Sequence, residues 1–105
     1  MIWGMRFDFR NPAFAGSTTA ERYRTALEIA EWADRLDCIS SSIAEHHSSA
    51  DEYIPSPVVL LAAMAARTTN VRLSAAALIA PFYDPLRLAE APGRPRTGWR
   101  RPIAP

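Results

Sequence analysis

Three stretches of this chain have the make-up of short strands, and each is followed by a stretch carrying helix signals. That alternation constrains the fold more than any single motif. The first stretch, Met1–Phe9 (MIWGMRFDF), is apolar and aromatic, as strands tend to be. Arg6 and Asp8 alternate with Met5, Phe7 and Phe9, which predicts a polar face near the strand's end. Asn11-Pro12 and Gly16 break the chain after it. The second, CISSSIAEH from Cys38, is strand-like in length and in its isoleucines, although its serines weaken it. The third, Val71–Ala80 (VRLSAAALIA), is a near-continuous apolar run, as expected of a parallel strand covered on both faces.

The helices announce themselves by their starts. Thr18-Thr19-Ala20-Glu21 has capping-box spacing, and Tyr23, Ala26, Leu27, Ala30 and Ala33 recur on one face, predicting a helix over about 19–36. Ser56-Pro57 opens a mostly buried helix that runs to about Thr68, and Asp84-Pro85 opens PLRLAE by the same device. Strand, helix, strand, helix, strand, helix predicts an α/β fold with a parallel sheet and right-handed crossovers. It fits part of a βα-barrel or a doubly wound sheet. No GxGxxG follows the first strand, which argues against a dinucleotide-binding sheet.

With 105 residues, the chain has enough for one small domain. No apolar run reaches membrane-span length, and the start lacks the pattern of a signal peptide. The single cysteine, Cys38, has no internal disulfide partner, so the expected location is the cytoplasm. Four of the twelve basic residues lie in the last fifteen positions, leaving residues 1–90 with a net charge of −3 from eight basic and eleven acidic side chains. A body of that sign is a poor nucleic-acid partner, and no membrane contact is expected.

The chemistry-bearing stretch is Ser42–Tyr53 (SIAEHHSSADEY). Glu45, His46 and His47 fall at the carboxyl end of the second strand, the end where βα-barrels and open α/β sheets bind ligands. Neighbouring strand residues point to opposite faces, so one histidine is free to face the barrel mouth while the other braces a loop. Histidine titrates near neutral pH and moves protons. The bland alternative is two solvated loop histidines. Zinc, with Glu45 or Asp51 as a further ligand, is disfavoured because adjacent histidines chelate poorly and neither HExxH nor CxxC is present. The alanines of SAAALIAP either admit a flat ring close to the backbone or simply allow tight helix packing. Cys38 reads as a buried small hydrophobe and Asp84 as a helix cap.

RFDFRNP, AEWADRL, AEHHSSADEYIPSPVVLLAAMAARTTNVRL and AALIAPFYDPLRLAE, in that order, resemble the N-terminal third of the bacterial luciferase-like flavin-dependent oxidoreductases. The resemblance covers about residues 1–90. It implies a partial TIM (β/α)8 barrel, made of the first three βα units. It further implies reduced FMN, or a deazaflavin in some branches, with O2 and a small organic molecule as co-substrates. By resemblance His46 is the catalytic histidine, and Glu45, His47, Ala76 and Ala77 shape the flavin pocket. Ala76-Ala77 best matches a small-residue pair that in the family often has a non-prolyl cis peptide, with Ala75-Ala76 close behind. Asp37, Ser48 and Glu52 stand where family members often have glycine. Ser40–Ser42 replace branched aliphatics, which predicts weaker packing of that strand.

The resemblance stops after Glu90. Residues 91–105 are rich in proline and arginine, and prolines 92, 95, 102 and 105 forbid a helix there, predicting a disordered tail. Codons for Ala91–Arg96 read one base later permit His-Leu-Ala-Val-Leu-Glu, so a frameshift would account for the break. Three βα units do not close a barrel. They predict an unpaired sheet edge and exposed apolar faces suited to self-association, with little activity from this chain alone. The alternative reading is a non-catalytic half-barrel interaction module or a degenerate gene product.

Overall fold

In the computed structural model, which describes residues 1–91, each βα unit forms where its local signals put it. Strand β1 (Gly4–Arg6) leads to helix α1 (Thr19–Arg35), β2 (Ser40–Ala44) to α2 (Pro57–Ala65), and β3 (Arg72–Ala77) to α3 (Pro85–Glu90). The predicted tail lies, from residue 92 onward, outside the described residues. The capping box forms in full: the Glu21 N–H donates to Thr18 Oγ1 at 3.2 Å, and the Thr18 N–H donates to the Glu21 carboxylate at 2.7 Å. Asp84 caps α3 by accepting the Arg87 N–H at 2.9 Å. Ser56 makes no capping hydrogen bond, so α2 starts on the preset backbone of Pro57 alone.

All pairing is parallel, in the order β1-β2-β3. The registers align Gly4 with Ser40 and Arg72, Met5 with Ser41 and Leu73, and Arg6 with Ser42 and Ser74. Residues aligned across strands share a face, so the two faces differ sharply. Ser41 and Ile43 are fully buried under the helices. The uncovered face carries glycine, arginine and serine, which is why a sheet lacking a second cover does not present a broad apolar surface there. The sequence's polar face at the end of β1 is this face.

The core sits between the sheet and the first two helices: Ala26 and Ala30 of α1 and Leu60 and Met64 of α2 pack on Phe9, Ile43 and Ile54. Alanines at both α1 contacts let that helix approach closely. A second cluster of Ala33, Cys38 and Val71, under Trp3, fills the opposite rim, with Cys38 acting as the small apolar filler the sequence suggests. Beside it the buried Asp34 carboxylate accepts the backbone N–H groups of Thr69, Asn70 and Val71 at 2.8, 2.8 and 2.6 Å. Burial pushes this carboxyl up, but the three hydrogen bonds outweigh it and leave it below its ordinary value. Asp37 follows in the left-handed region, φ 58°, at the turn where glycine was the expected residue.

Two expectations are corrected. β1 is confined to Gly4–Arg6 rather than Met1–Phe9: Met1 and Ile2 are exposed without ladder partners, and past Phe7, whose N–H bonds Ser42 O, the chain turns so that Phe9 enters the core. β3 spans Arg72–Ala77, and its residues are half-buried or exposed rather than covered on both faces. No strand pairs on its far side among the described residues, and α3 is six residues long with none buried. The expected exposed apolar face is found here, as a trough of about 410 Å³ between α2, β3 and α3, lined by Leu61, Ala62, Leu73, Leu78 and Leu88 among others.

The Ser41 hydroxyl is buried with no hydrogen-bond partner. Replacing Ser41 with alanine removes that unmet desolvation cost and should raise stability by roughly 1 kcal/mol, measured by urea unfolding. Asp34→Ala should lower it by roughly 2–3 kcal/mol in the same assay, because the Val71 N–H is left buried without its charged acceptor.

Candidate functional site

The carboxyl ends of β1 and β2 bring the polar residues together. Glu45 follows β2 directly and is 2% exposed. Its Oε1 lies 2.6 Å from His47 Nε2, and its Oε2 accepts the Ile79 N–H at 2.7 Å. Because a carboxylate only accepts, the Glu45 contact assigns a proton to His47 Nε2. Burial pushes the Glu45 carboxyl up, yet the bonds from His47 and Ile79 prevail and hold it below its ordinary value of 4.5. Burial and the Glu45 charge together push the Tyr83 phenol up.

The two histidines part company. His47 turns inward onto Glu45 and meets Phe82 edge-on, with ring centroids 4.9 Å apart, so it braces the loop after β3. His46 is exposed. Its ring meets Tyr53 edge-on at 4.2 Å, and its backbone N–H is held by Ile54 O at 3.1 Å. His46 and Tyr53 line an open groove of about 500 Å³ together with Arg6, Asp8, Arg10, Ser49 and Asp51. Ala76 and Ala77 do not line this groove. They are exposed at the end of β3, where Ala77 O accepts the Glu45 N–H at 3.2 Å across an irregularity in the ladder.

The loop that carries the site is tightly turned. Ser48 and Glu52 have φ of 52° and 54°, at the positions where glycine was expected. A left-handed residue other than glycine costs about 1 kcal/mol or more, and local bonds hold both turns. Ser49 Oγ donates to Asp51, Thr19 Oγ1 donates to Glu52, and the Asn11 N–H reaches Asp51 O at 2.6 Å. A cis bond at Ala76-Ala77 is not found, since every described peptide is trans. Such a bond costs roughly 3 kcal/mol and persists only where its surroundings enforce it, and these alanines lie on an open edge. No group of three or more His, Cys, Asp or Glu side chains among the described residues is placed to hold a metal ion.

Sequence reading missed Arg10, Asp51 and Tyr53 as groove residues, and Phe82 and Tyr83 as braces. Arg6, Asp8 and Arg10 alternate at period two, a signal that was available for Arg10. Asp51 and Tyr53 share the loop between β2 and α2 with His46, and only the way that loop folds turns them to the groove, while Phe82 comes to His47 from the separate loop after β3.

Residues 4–93 match the family model described as luciferase-like monooxygenase. Among curated proteins, the oxygenase component of flavin-dependent trigonelline monooxygenase from Acinetobacter baylyi is 32% identical over 72 residues, 69% of this chain and 20% of that protein. Limonene 1,2-monooxygenase from Rhodococcus erythropolis is 34% identical over 64 residues, 61% of this chain and 16% of that protein. The chain thus spans about a fifth of the length of the curated relatives it matches. Among solved structures, the oxygenating constituent of 3,6-diketocamphane monooxygenase from Pseudomonas putida, in complex with FMN, superposes with a TM-score of 0.74 and 30% identity, over 87% of this chain and 25% of that one. Monooxygenase RslO1 from Streptomyces bottropensis gives 0.75 and 34%, over 87% and 28%.

The lowered Glu45 pKa fixes a pH dependence. The stability it contributes is fully present above the unfolded-state value near 4.5 and is lost as pH falls through the lower folded-state value. Glu45→Gln should therefore flatten the acid limb of a pH–stability profile followed by circular dichroism, while leaving the profile's shape above pH 6 unchanged.

Proposed function

The chain belongs to the luciferase-like monooxygenase family, and from that premise we propose that it forms the His46-bearing wall of a flavin-dependent monooxygenase site, too incomplete to turn over alone. When bound, reduced flavin would supply the electrons by which O2 gives one oxygen atom to a small organic substrate and the other to water. Residues of this chain fit that group: Ala76 and Ala77 are exposed at the carboxyl end of β3 with only methyl side chains toward an approaching ring. FMN is the preferred form and deazaflavin the alternative. The cytoplasm is the preferred location.

The observation that carries the reading is the division of labour between the histidines. His46 is exposed over the groove and held edge-on by Tyr53, so its imidazole is available to hold or move a proton. Glu45 and His47 work behind it. Their bonds to Ile79 and their packing on Phe82 fix the ends of β2 and β3 relative to each other, so that His46 and the alanines keep one spacing. The described residues give one wall and leave the facing side open to water, which keeps the local dielectric high and weakens every polar contact made there.

Titration of the purified chain with FMN should give weak saturable quenching of flavin fluorescence, reduced several-fold in His46→Ala. Oxygen uptake with reduced FMN should stay at the rate of the flavin alone. Absence of saturable quenching, with the chain folded by circular dichroism, would remove cofactor binding from the proposal.

A further inference from the structure

We propose that Arg6 is an anion-recognition residue, holding the carboxylate of an organic substrate in the groove beside His46. Taking the groove as a substrate site rests on the function proposed above; the anion preference rests on the charges that line it.

Arg6 ends β1 on the uncovered face, in register with Ser42 and Ser74. Its neighbours across the sheet are therefore hydroxyls, which neither neutralise it nor block it. Two carboxylates share the groove with it; Asp8 lies within electrostatic reach of Arg6, but the direct bonds of both carboxylates go to other groups. Asp8 is gripped by the Arg10 guanidinium, whose Nε lies 3.0 and 2.9 Å from its two oxygens while Nη2 makes the ion pair. Asp51 accepts the Ser49 hydroxyl and acts on Arg10 as well. Among the described residues Arg6 has no carboxylate within salt-bridge distance.

Arg6 thus faces an open groove with a planar fork of donors that makes no ion pair among the described residues, and such a fork matches a carboxylate bidentately. A groove of about 500 Å³ is the size of a small-molecule site. Phosphate on a flavin is the other source of a matching oxyanion, so the test separates the two.

The test uses the full chain, labelled with 15N, and four probes: benzoate, benzamide, FMN and riboflavin. Benzoate should shift the Arg6 Nε–H, His46 and Tyr53 signals saturably and bind about tenfold tighter than its neutral isostere benzamide, as a charged hydrogen-bond pair requires. Arg6→Gln should abolish that preference, and Arg6→Lys should keep part of it. Both substitutions are at an exposed position, and the unchanged spectrum elsewhere serves as the folding control. Equal binding of benzoate and benzamide, or a preference that survives in Arg6→Gln, overturns the proposal. So does an Arg6→Gln chain that loses its preference for FMN over riboflavin while keeping that for benzoate. A benzoate preference without any flavin binding upholds the anion site and removes the flavin reading; the reverse result removes Arg6 and leaves the flavin reading standing.

Discussion

The Glu45 carboxylate lies where the central strand, the loop after it and the loop after β3 meet. One oxygen takes the His47 ring and the other the Ile79 backbone. A buried carboxylate is costly unless its lone pairs are filled, and here the filling groups come from both sides of a strand boundary. Satisfying the charge therefore requires the two loops to be in place together. This geometry turns His47 away from the groove and leaves His46 over it, so the difference between two adjacent, chemically identical side chains follows from which one Glu45 can reach.

Asp34 plays the corresponding part at the opposite rim. It takes three successive N–H groups just before β3 from the end of α1. Between these two clamps the central strand holds three serines, one of them buried without a partner, and places Ile43 as its one large apolar side chain in the core. The sheet thus relies less on side-chain interlock along β2 than on charged hydrogen bonds at its ends, and those are stronger per contact than neutral ones. The uncovered face tolerates water because its aligned residues are Gly4, Ser40 and Arg72, then Arg6, Ser42 and Ser74.

Elements whose signals are local were legible in the sequence. The Thr18 capping box, Pro57 and the Asp84 cap depend on a residue and its near neighbours, whereas the left-handed Asp37, Ser48 and Glu52 stood out only through the resemblance, as places where family members often have glycine. Parallel order followed from the alternation itself. Burial of β3 was misread because a continuous apolar run reports what a strand is suited to, and only the neighbours present decide what it receives. Tyr53 against His46 was not legible for a related reason: both lie in the loop between β2 and α2, and only the folded turn brings rings seven residues apart together, whereas Arg10 on Asp8 is a local pair that the period-two spacing could have shown.

Openness also sets how strongly the groove residues act. Unit charges about 4 Å apart attract by roughly 1 kcal/mol in water and by about 4 kcal/mol at a surface of intermediate dielectric. Arg6 faces solvent in this chain, so the pull on an anion proposed for it lies toward the weaker figure, whereas Glu45 is already buried and its bonds have little left to gain. The relative superposed over 87% of this chain is about three and a half times as long, and strands added beyond the third would close a barrel over this side of the sheet. Closure would strengthen Arg6 and His46 selectively while leaving the Glu45 clamp much as it is. The scaffold of the site is thus built within the first three βα units, whereas the strength of its contacts with a ligand depends on what encloses them.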